Sequence, residues 1–157
     1  MPKISSKFIQ VHIARYDEKQ KDYMYLVLKR AAHVIPFPGM WQVVTGNIEP
    51  DEPSTESAMR EVAEETGLKP GKIWTIPYVT TFFNPNNDTI YMSPVFGVLT
   101  DSKKIILSDE HSEYKWLRFQ ECMDILELPT HREATTVFRD YILKSDNDNI
   151  FDNSPRK

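Results

Sequence analysis

The sequence predicts an α/β fold, a layered α/β/α sandwich in which helices cover both faces of a mixed sheet. Two observations indicate it. Short runs of β-branched and aromatic residues recur along the chain, and two helical segments accompany them, one inserted between the runs and one near the C-terminus. The chain has 157 residues, 40% of them hydrophobic, and it shows no internal repeat, low-complexity stretch or linker. We therefore expect a single domain over residues 1–157.

The N-terminal part supplies three predicted strands. Residues 8–14 and 23–28 are rich in β-branched and aromatic residues, and residues 17–22 form a polar turn between them. Residues 41–44 form a third, short strand that leads into a loop at Gly46.

The first helix is predicted for residues 53–66, which contain good helix formers. Pro53 suits the first turn, because its missing N–H is not needed there. Gly67 is placed to end the helix, since glycine accepts the left-handed conformation at a C-terminus. Apolar residues occupy the sides of this helix that can bury against a core: Ala58, Met59, Val62 and Ala63.

Further strands follow this helix. Residues 73–83 and 90–99 form a predicted hairpin around a cluster of turn residues at 84–88. Residues 104–107 and 114–117 are predicted as shorter strands.

The second helix is predicted to begin at a capping box, in which Thr130 is followed three residues later by Glu133. Apolar residues then recur at helical spacing, at Ala134, Val137, Phe138, Tyr141 and Ile142. The polar tail, from about residue 144 to residue 157, is expected to be loosely held.

The spacing of residues 46–68 is the most informative feature of the chain. Its fixed positions are Gly46, Glu52, Arg60, Glu61, Val62, Glu64, Glu65, Gly67 and Leu68. On a helix Glu61, Glu64 and Glu65 stand at i, i+3 and i+4 and share one face. Three like charges repel unless a cation lies between them, and Mg²⁺ commonly bridges carboxylates to substrate phosphates. The alternative is a solvated acidic face that binds nothing.

Arg60 is the other informative residue of this stretch. It follows Glu56 at i+4 and Glu52 at i+8, so its guanidinium can pair with carboxylates that precede the acidic face. Such pairs would hold the loop after Gly46 against the helix.

This pattern resembles the signature of the Nudix hydrolases, enzymes that cleave a diphosphate linkage in nucleoside diphosphates joined to another group. The resemblance implies a Nudix-type α/β/α sandwich with a catalytic loop-helix-loop over residues 46–68. It also implies a structural link between Glu52 and Arg60. Glu61 is the candidate for the general base, and the alternative is a base on a different loop, as in some members of the family. The implied metal ligands are the carboxylates of Glu61, Glu64 and Glu65 and the backbone carbonyl of Gly46. The implied cofactor is Mg²⁺, with Mn²⁺ as the alternative.

A second acidic segment begins in a loop at Asp109 and runs into the predicted strand at 114–117. Many Nudix enzymes supply a further carboxylate from such a loop, so the resemblance makes Glu110 a candidate metal ligand. The alternative is that Asp109, Glu110 and Glu113 form a solvated turn. His111 can orient a ligand, take part in proton transfer, or serve as a structural hydrogen-bonding partner.

Two stretches, residues 41–46 and 110–117, are similar to the Nudix branch that hydrolyses dihydroneopterin triphosphate and some nucleoside triphosphates such as dATP. The sequence departs from the family at Asn47 and at residues 50–51, where many members have glycine. The loop should therefore be stiffer than in those members.

Substrate contacts are predicted at Arg30 and Trp41. Lys29 and Arg30 follow an apolar strand and are expected to project two cations near the phosphates. The planar fork of arginine suits phosphate, and in the resemblance Arg30 matches a phosphate-contacting position; the alternative is a plain cation at a strand end. Aromatic rings can stack a flat pterin or purine, or belong to the core, and the candidates are Phe37, Trp41, Phe82, Phe83 and Tyr91.

Composition argues against several other functions. The net charge of −4 argues against binding nucleic acid. The longest apolar run, residues 23–28, is too short to span a membrane, and the N-terminus lacks the apolar stretch of a signal peptide, so we expect a cytoplasmic protein. The single cysteine, Cys122, excludes an internal disulfide and a Cys-based zinc site.

The sequence therefore predicts a Mg²⁺-dependent pyrophosphohydrolase of a nucleoside triphosphate or a related compound, in which water attacks phosphorus. We expect a monomer or a homodimer. One alternative is hydrolysis of a dinucleoside polyphosphate or of ADP-ribose, and another is a Nudix module that binds a nucleotide without cleaving it. Three intact carboxylates favour catalysis, because a pure binder needs no base.

Overall fold

The computed structural model describes residues 1–146 and 151–152. Its strands are β1 (Lys3–Ser5), β2 (Phe8–Asp17), β3 (Asp22–Arg30), β4 (Trp41–Gln42), β5 (Val44–Asn47), β6 (Lys72–Asn84), β7 (Thr89–Leu99) and β8 (His111–Leu117). Its helices are α1 (Ser54–Thr66), α2 (Phe119–Ile125) and α3 (Pro129–Val137), and a π-helical segment (Phe138–Leu143) follows α3 directly.

The strands form one mixed sheet. Its order is β1-β7-β2-β3-β4, and β5 pairs with β2, β6 with β7 and β8 with β3. Strand β7 runs parallel to β1 and to β2, whereas the other pairs are antiparallel. The pairing of β5 with β2 places the end of β5 next to the start of β2. Residues of both strand ends line the site described below.

One face of the sheet packs on α1. Side chains alternate between the two faces of a strand, and Ile9, Val11 and Ile13 of β2 point to the same face. They are fully buried in a core that also holds Ala58 and Val62 of α1. Burying these side chains fixes which side of α1 faces the sheet, and therefore which side carries its acidic residues.

The opposite face packs on α2, α3 and the π-helical segment. Cys122 of α2, Ala134 of α3 and Phe138 are fully buried there against Val27 of β3 and Val95 of β7. The predicted α/β/α sandwich is therefore confirmed, with one core on each side of the mixed sheet.

The predicted first helix forms with nearly the expected ends. Pro53 is the N-cap, with φ −62° and ψ 140°, and the helix starts one residue later. Gly67 adopts the left-handed conformation at φ 70°, and its N–H donates to the carbonyl of Ala63 at 2.9 Å. Ala63 itself is exposed, so the prediction that it buries against the core is wrong.

The strand predicted at residues 104–107 is wrong. Ile105 is buried in the core beside α1, and the N–H of Ile106 donates to the carbonyl of Thr66 at the end of that helix, at 2.9 Å. These apolar residues cover the end of α1 without pairing in the sheet. A short apolar run has the same composition in both situations.

Two other details of the C-terminal half differ from the prediction. Helix α3 starts at Pro129 with Leu128 as its N-cap and no capping side chain, so the predicted box at Thr130 and Glu133 is wrong. A box-type bond occurs instead at α2, a helix that was not predicted, where the backbone N–H of Arg118 donates to Glu121 at 2.7 Å.

The predicted polar tail lies partly outside the described residues, at 147–150 and 153–157. Residues 151–152 return to β6, where the N–H of Thr75 donates to the Phe151 carbonyl at 2.9 Å. Among the described residues, no helix is both long and apolar enough to cross a membrane.

Candidate functional site

A cavity of about 640 Å³ brings together five of the predicted site residues. Glu61 and Glu65 reach it from α1, and Glu110 reaches it from the loop before β8. Gly46 lies in β5 and Arg30 ends β3. Residues that are far apart in the sequence therefore form one acidic cavity that also contains a guanidinium.

Glu65 and Glu61 are the buried members of the acidic face, at 3% and 9% exposure. Burial, followed by the nearby carboxylates of Glu61 and Glu110, raises the pKa of Glu65 to about 9. Burial also raises the pKa of Glu61, although Arg60 opposes the shift. No described residue hydrogen-bonds to Oε2 of Glu65. A buried carboxylate oxygen without a partner is costly, so this atom is suited to bind a ligand.

Arg60 joins the loop before α1 to the helix. Its Nε and Nη2 donate to the two carboxylate oxygens of Glu52 at 2.8 Å and 3.0 Å. Nη2 also donates to the backbone carbonyl of Asn47 at 2.9 Å. The hydrogen bonds from Arg60 hold the pKa of Glu52 down at about 2. This bidentate ion pair between Arg60 and Glu52 fixes the loop that contains Gly46 relative to the acidic face.

Arg60 also contacts two of the predicted ligands. Its Nη1 lies 3.0 Å from Oε1 of Glu61 and 3.3 Å from Oε2 of Glu64, whose side chain is 57% exposed. The predicted pairing with Glu56 is wrong, because the fork to Glu52 holds the guanidinium on the loop side of the helix. Among residues 1–146 and 151–152, no three His, Cys, Asp or Glu side chains are arranged to hold a metal ion as they stand.

The residues present nevertheless fit a divalent cation. Glu61, Glu65 and Glu110 supply the hard oxygen donors that Mg²⁺ prefers, and one oxygen of Glu65 is buried and unpaired. Glu64 and Glu110 are exposed, so their side chains can rotate toward the buried pair. A Cβ at position 46 would overlap the side chain of Glu61, so only glycine permits this approach between loop and helix.

Arg30 lines the cavity and is paired with His111 across β3 and β8. Burial, followed by the charge of Arg30, lowers the pKa of His111 to about 4. Nε2 of His111 lies 2.9 Å from the amide Nε2 of Gln42. Because the amide nitrogen only donates, His111 accepts there and carries its proton on Nδ1, which lies 3.9 Å from Oε2 of Glu65. His111 is therefore a neutral group that faces the buried carboxylate.

Glu110 and Glu113 occupy different surroundings. Glu110 lines the cavity, whereas Oε2 of Glu113 lies 2.9 Å from Nζ of Lys29. Successive side chains of a strand point to opposite faces, so Arg30 enters the cavity and Lys29 does not. The prediction that both cations approach the phosphates is therefore wrong for Lys29.

Trp41 is not among the residues that line the cavity. Its ring packs against the core on the α3 side of the sheet. The ammonium groups of Lys29 and Lys115 lie 5.8 Å and 4.9 Å from its centroid. Met40 and Gln42, its neighbours in the chain, line the cavity instead. The structure does not bring Trp41 together with the other predicted site residues.

A buried polar chain behind the cavity was not predicted. Thr135 donates to the backbone carbonyl of His131 at 2.8 Å and lies 3.0 Å from Nδ1 of His12. Nε2 of His12 in turn lies 2.6 Å from the amide of Gln10. His131 lines the cavity, and burial lowers its pKa to about 4. The available signal was the polar Gln10 and His12 alternating with aliphatic residues in β2.

Aromatic residues also line the cavity, but only some of those predicted. Phe37, Phe82 and Tyr91 line it together with Phe8, which was not predicted. Phe83 does not line it. The alternation of side chains along β6 separates Phe82 from Phe83.

The family model of the Nudix domain matches residues 7–140, which include every site residue described above. The chain belongs to the Nudix family. It is a hydrolase that acts on phosphorus-containing anhydrides. Nudix hydrolases generally use a divalent metal ion, commonly Mg²⁺.

Individual relatives agree with this assignment. The chain is 33% identical over 110 residues to the nucleoside triphosphatase NudI of Salmonella arizonae, covering 65% of this chain and 78% of that protein. The MutT protein of Methanosarcina mazei superposes with a TM-score of 0.70 at 24% identity, over 92% of this chain and 98% of that one. The E. coli dihydroneopterin triphosphate pyrophosphohydrolase superposes with a TM-score of 0.68 at 24% identity, over 85% and 92%. The two structural similarities show the Nudix fold.

Proposed function

We propose that this Nudix hydrolase is a Mg²⁺-dependent pyrophosphohydrolase of a nucleoside triphosphate or a closely related triphosphate. One observation carries the proposal: buried Glu61 and Glu65 lie in the same cavity as Gly46, Glu110 and the guanidinium of Arg30. The carboxylates suit metal ions and the guanidinium suits phosphate.

We assign the cation site to the carboxylates of Glu61, Glu64, Glu65 and Glu110 and to the backbone carbonyl of Gly46. When bound there, Mg²⁺ would neutralise phosphate charge and lower the pKa of a water molecule. Mn²⁺ is the alternative ion, since it shares the preference for oxygen ligands. Arg60 and Glu52 are positioning residues, because the bidentate ion pair between them holds the loop of Gly46 against α1.

Glu61 is the proposed general base. Its carboxylate takes the proton of the attacking water as the new oxygen–phosphorus bond forms in line with the bridging oxygen that leaves. Burial raises the pKa of this carboxyl when no cation is bound. Arg60 holds Oε1 of Glu61 at 3.0 Å and so fixes the direction of the base. Arg30 would bind a phosphate oxygen and orient the chain of phosphates.

The proposed substrate class is supported by the names of related proteins as well as by the charged residues of the cavity. The name of the Salmonella protein describes a nucleoside triphosphatase, and one structural neighbour is a dihydroneopterin triphosphate pyrophosphohydrolase. A dATP-like nucleotide and dihydroneopterin triphosphate are therefore the first candidates. Dinucleoside polyphosphates and ADP-ribose are the alternative substrates, and a module that binds without cleavage is the alternative from another class.

The test is a hydrolysis screen of the wild-type protein with Mg²⁺. The panel contains the nucleoside triphosphates and their deoxy forms, dihydroneopterin triphosphate, diadenosine polyphosphates and ADP-ribose, with phosphate and pyrophosphate release as readouts. We expect pyrophosphate release from a triphosphate, and no turnover in excess EDTA. Preference for ADP-ribose or a dinucleoside would replace the proposed substrate, and binding without turnover of any compound would favour the non-catalytic module.

A further inference from the structure

Three aromatic residues of the cavity form a continuous contact surface, which we call the aromatic wall: Phe8 of β2, Phe82 of β6 and Tyr91 of β7. The rings of Phe82 and Tyr91 are stacked, with centroids 5.0 Å apart and an interplanar angle of 27°. Phe8 lies 5.0 Å from Tyr91 and 6.1 Å from Phe82. These separations are typical of interacting aromatic pairs.

The wall is fixed on its inner side and open on its outer side. Tyr91 is buried, and its hydroxyl accepts a hydrogen bond from Nδ2 of Asn87 at 2.9 Å. Phe82 stacks on Tyr91 and is 49% exposed. The ammonium of Lys7 lies 5.0 Å from the ring centroid of Phe8 and 5.2 Å from that of Tyr91. The cavity therefore presents the exposed ring of Phe82, and the ammonium of Lys7 lies beside the other two rings of the wall.

The sheet register places this wall next to the proposed metal loop. Phe8 is paired directly with Asn47, and Ile9 is paired with Gly46. Paired residues on neighbouring strands are about 4.5–5.5 Å apart at Cα. Phe8 is thus one strand spacing from the loop that contains Gly46, and its ring lies 6.1 Å from that of Phe82, which is further across the sheet on β6. An extended nucleoside triphosphate is long enough to reach across these strands.

We propose that the aromatic wall holds a planar nitrogen heterocycle of the substrate by stacking, with Phe82 as its contact residue. The proposal rests on the proposed function, because it places the triphosphate at the acidic end of the same cavity. Among the aromatic candidates, Phe82 is then the residue that contacts the substrate. The heterocyclic ring of the substrate should contribute to its binding affinity. Stacking is tolerant of ring type, so purines, pyrimidines and pterins share this chemistry.

Phe83 provides a matched control. It is the next residue on β6 and is 54% exposed, compared with 49% for Phe82, but it does not line the cavity. Phe82→Leu keeps an apolar side chain and removes the aromatic face. Phe82→Tyr keeps the face, and Phe83→Leu makes the same change outside the cavity.

The experiment is calorimetric binding in Mg²⁺ of three probes: α,β-methylene dATP, an α,β-methylene pyrimidine nucleotide and inorganic tripolyphosphate. We expect Phe82→Leu to weaken both nucleotides by about tenfold or more and to leave tripolyphosphate unchanged. Phe82→Tyr and Phe83→Leu should bind all three probes like the wild type. Melting temperatures of the variants establish that the fold is retained.

Three results would overturn the proposal. One is unchanged nucleotide binding by Phe82→Leu, and another is an equal loss for nucleotides and tripolyphosphate, which would indicate a merely structural role. The third is a wild-type protein that binds nucleotides no better than tripolyphosphate. Binding does not depend on turnover, so a wild-type protein that binds nucleotides selectively without cleaving them would refute the proposed function and leave the stacking proposal supported.

The hydrolysis screen can also identify the ring. Running its dihydroneopterin triphosphate assay on Phe82→Leu distinguishes a pterin from a nucleobase as the stacked heterocycle.

Discussion

At the scale of single residues, environment divides the carboxylates of the site into two kinds. Glu65 is almost fully buried with an unpaired oxygen, whereas Glu64 is exposed and held by Arg60. The raised pKa of Glu65 means that the carboxyl holds a proton at neutral pH when no cation is near. A divalent cation displaces such a proton, because only the carboxylate is a good ligand. Among the proposed ligands, Glu65 is therefore the one whose charge we expect to depend most on the metal.

Glu110 and Glu113 give the sharpest comparison between two residues. Glu110→Gln removes an anion from the cavity, so it should lower kcat and raise the Mg²⁺ concentration needed for half-maximal rate. Glu113→Gln breaks only the ion pair with Lys29, which is outside the cavity. It should leave both quantities close to those of the wild type. Mg²⁺ titrations of the steady-state rate measure both variants in one assay. Equal and small effects would mean that the loop before β8 is only a charged turn.

At the scale of elements, the loop and helix of the site depend on one close approach. Strand β5 is held to β2 by its register, and α1 is held to the sheet by Ala58 and Val62. Together these contacts bring Gly46 so near to Glu61 that a methyl group does not fit between them. The site geometry therefore depends on the packing of the core beside α1.

Gly46→Ala tests this dependence. The added methyl meets the flexible end of the Glu61 side chain, so we expect the carboxylate to be displaced while the fold survives. The rate should fall by about tenfold or more, since a displaced base or ligand loses its alignment. Gly71→Ala is the control, because a methyl group there meets no other atom within 4 Å. A wild-type kcat for Gly46→Ala with an unchanged melting temperature would contradict the close approach.

The elements show what the sequence could and could not predict. The helical spacing of Glu61, Glu64 and Glu65 places them on one face, but spacing carries no information on burial, which depends on the loop and on Arg60. The apolar residues at 104–107 have the composition of a strand, yet they cover the end of α1. The polar chain from Gln10 to His131 joins residues more than a hundred positions apart, so the alternation of Gln10 and His12 in β2 indicates buried polar groups but not their partners in α3. Local sequence patterns predict most of the secondary-structure elements, whereas the burial and the partners of the side chains depend on tertiary contacts.

At the scale of the whole molecule, buried neutral histidines make stability depend on pH. Burial lowers the pKa of His131 to about 4, whereas an unfolded histidine titrates near 6.5. As pH falls below 6.5, His131 becomes protonated in the unfolded chain. In the folded protein it stays neutral until about pH 4. The contribution of His131 to the free energy of unfolding must therefore decrease over that window.

His131→Gln measures this contribution. The wild type should lose roughly 1 kcal/mol or more from this residue between pH 7 and pH 5, and the variant should lose correspondingly less. Urea unfolding in EDTA at the two pH values gives the comparison, and the exposed His33→Gln is the control. If His131→Gln and wild type show the same change in unfolding free energy, His131 is not held neutral by the fold.

The proposed function requires that carboxylates of α1, with a divalent cation, carry out hydrolysis of a phosphoanhydride. The most direct measurement is kcat for Glu65→Gln at saturating Mg²⁺, on the triphosphate that the wild type cleaves best. Glu56→Gln, an exposed change on the same helix, is the control. We expect kcat to fall by at least about 100-fold for Glu65→Gln, because charge stabilisation by the bound cation is lost. The variant should remain folded, and the control should have the kcat of the wild type. A near-normal kcat for folded Glu65→Gln would contradict this expectation and leave the acidic face of α1 without a catalytic role.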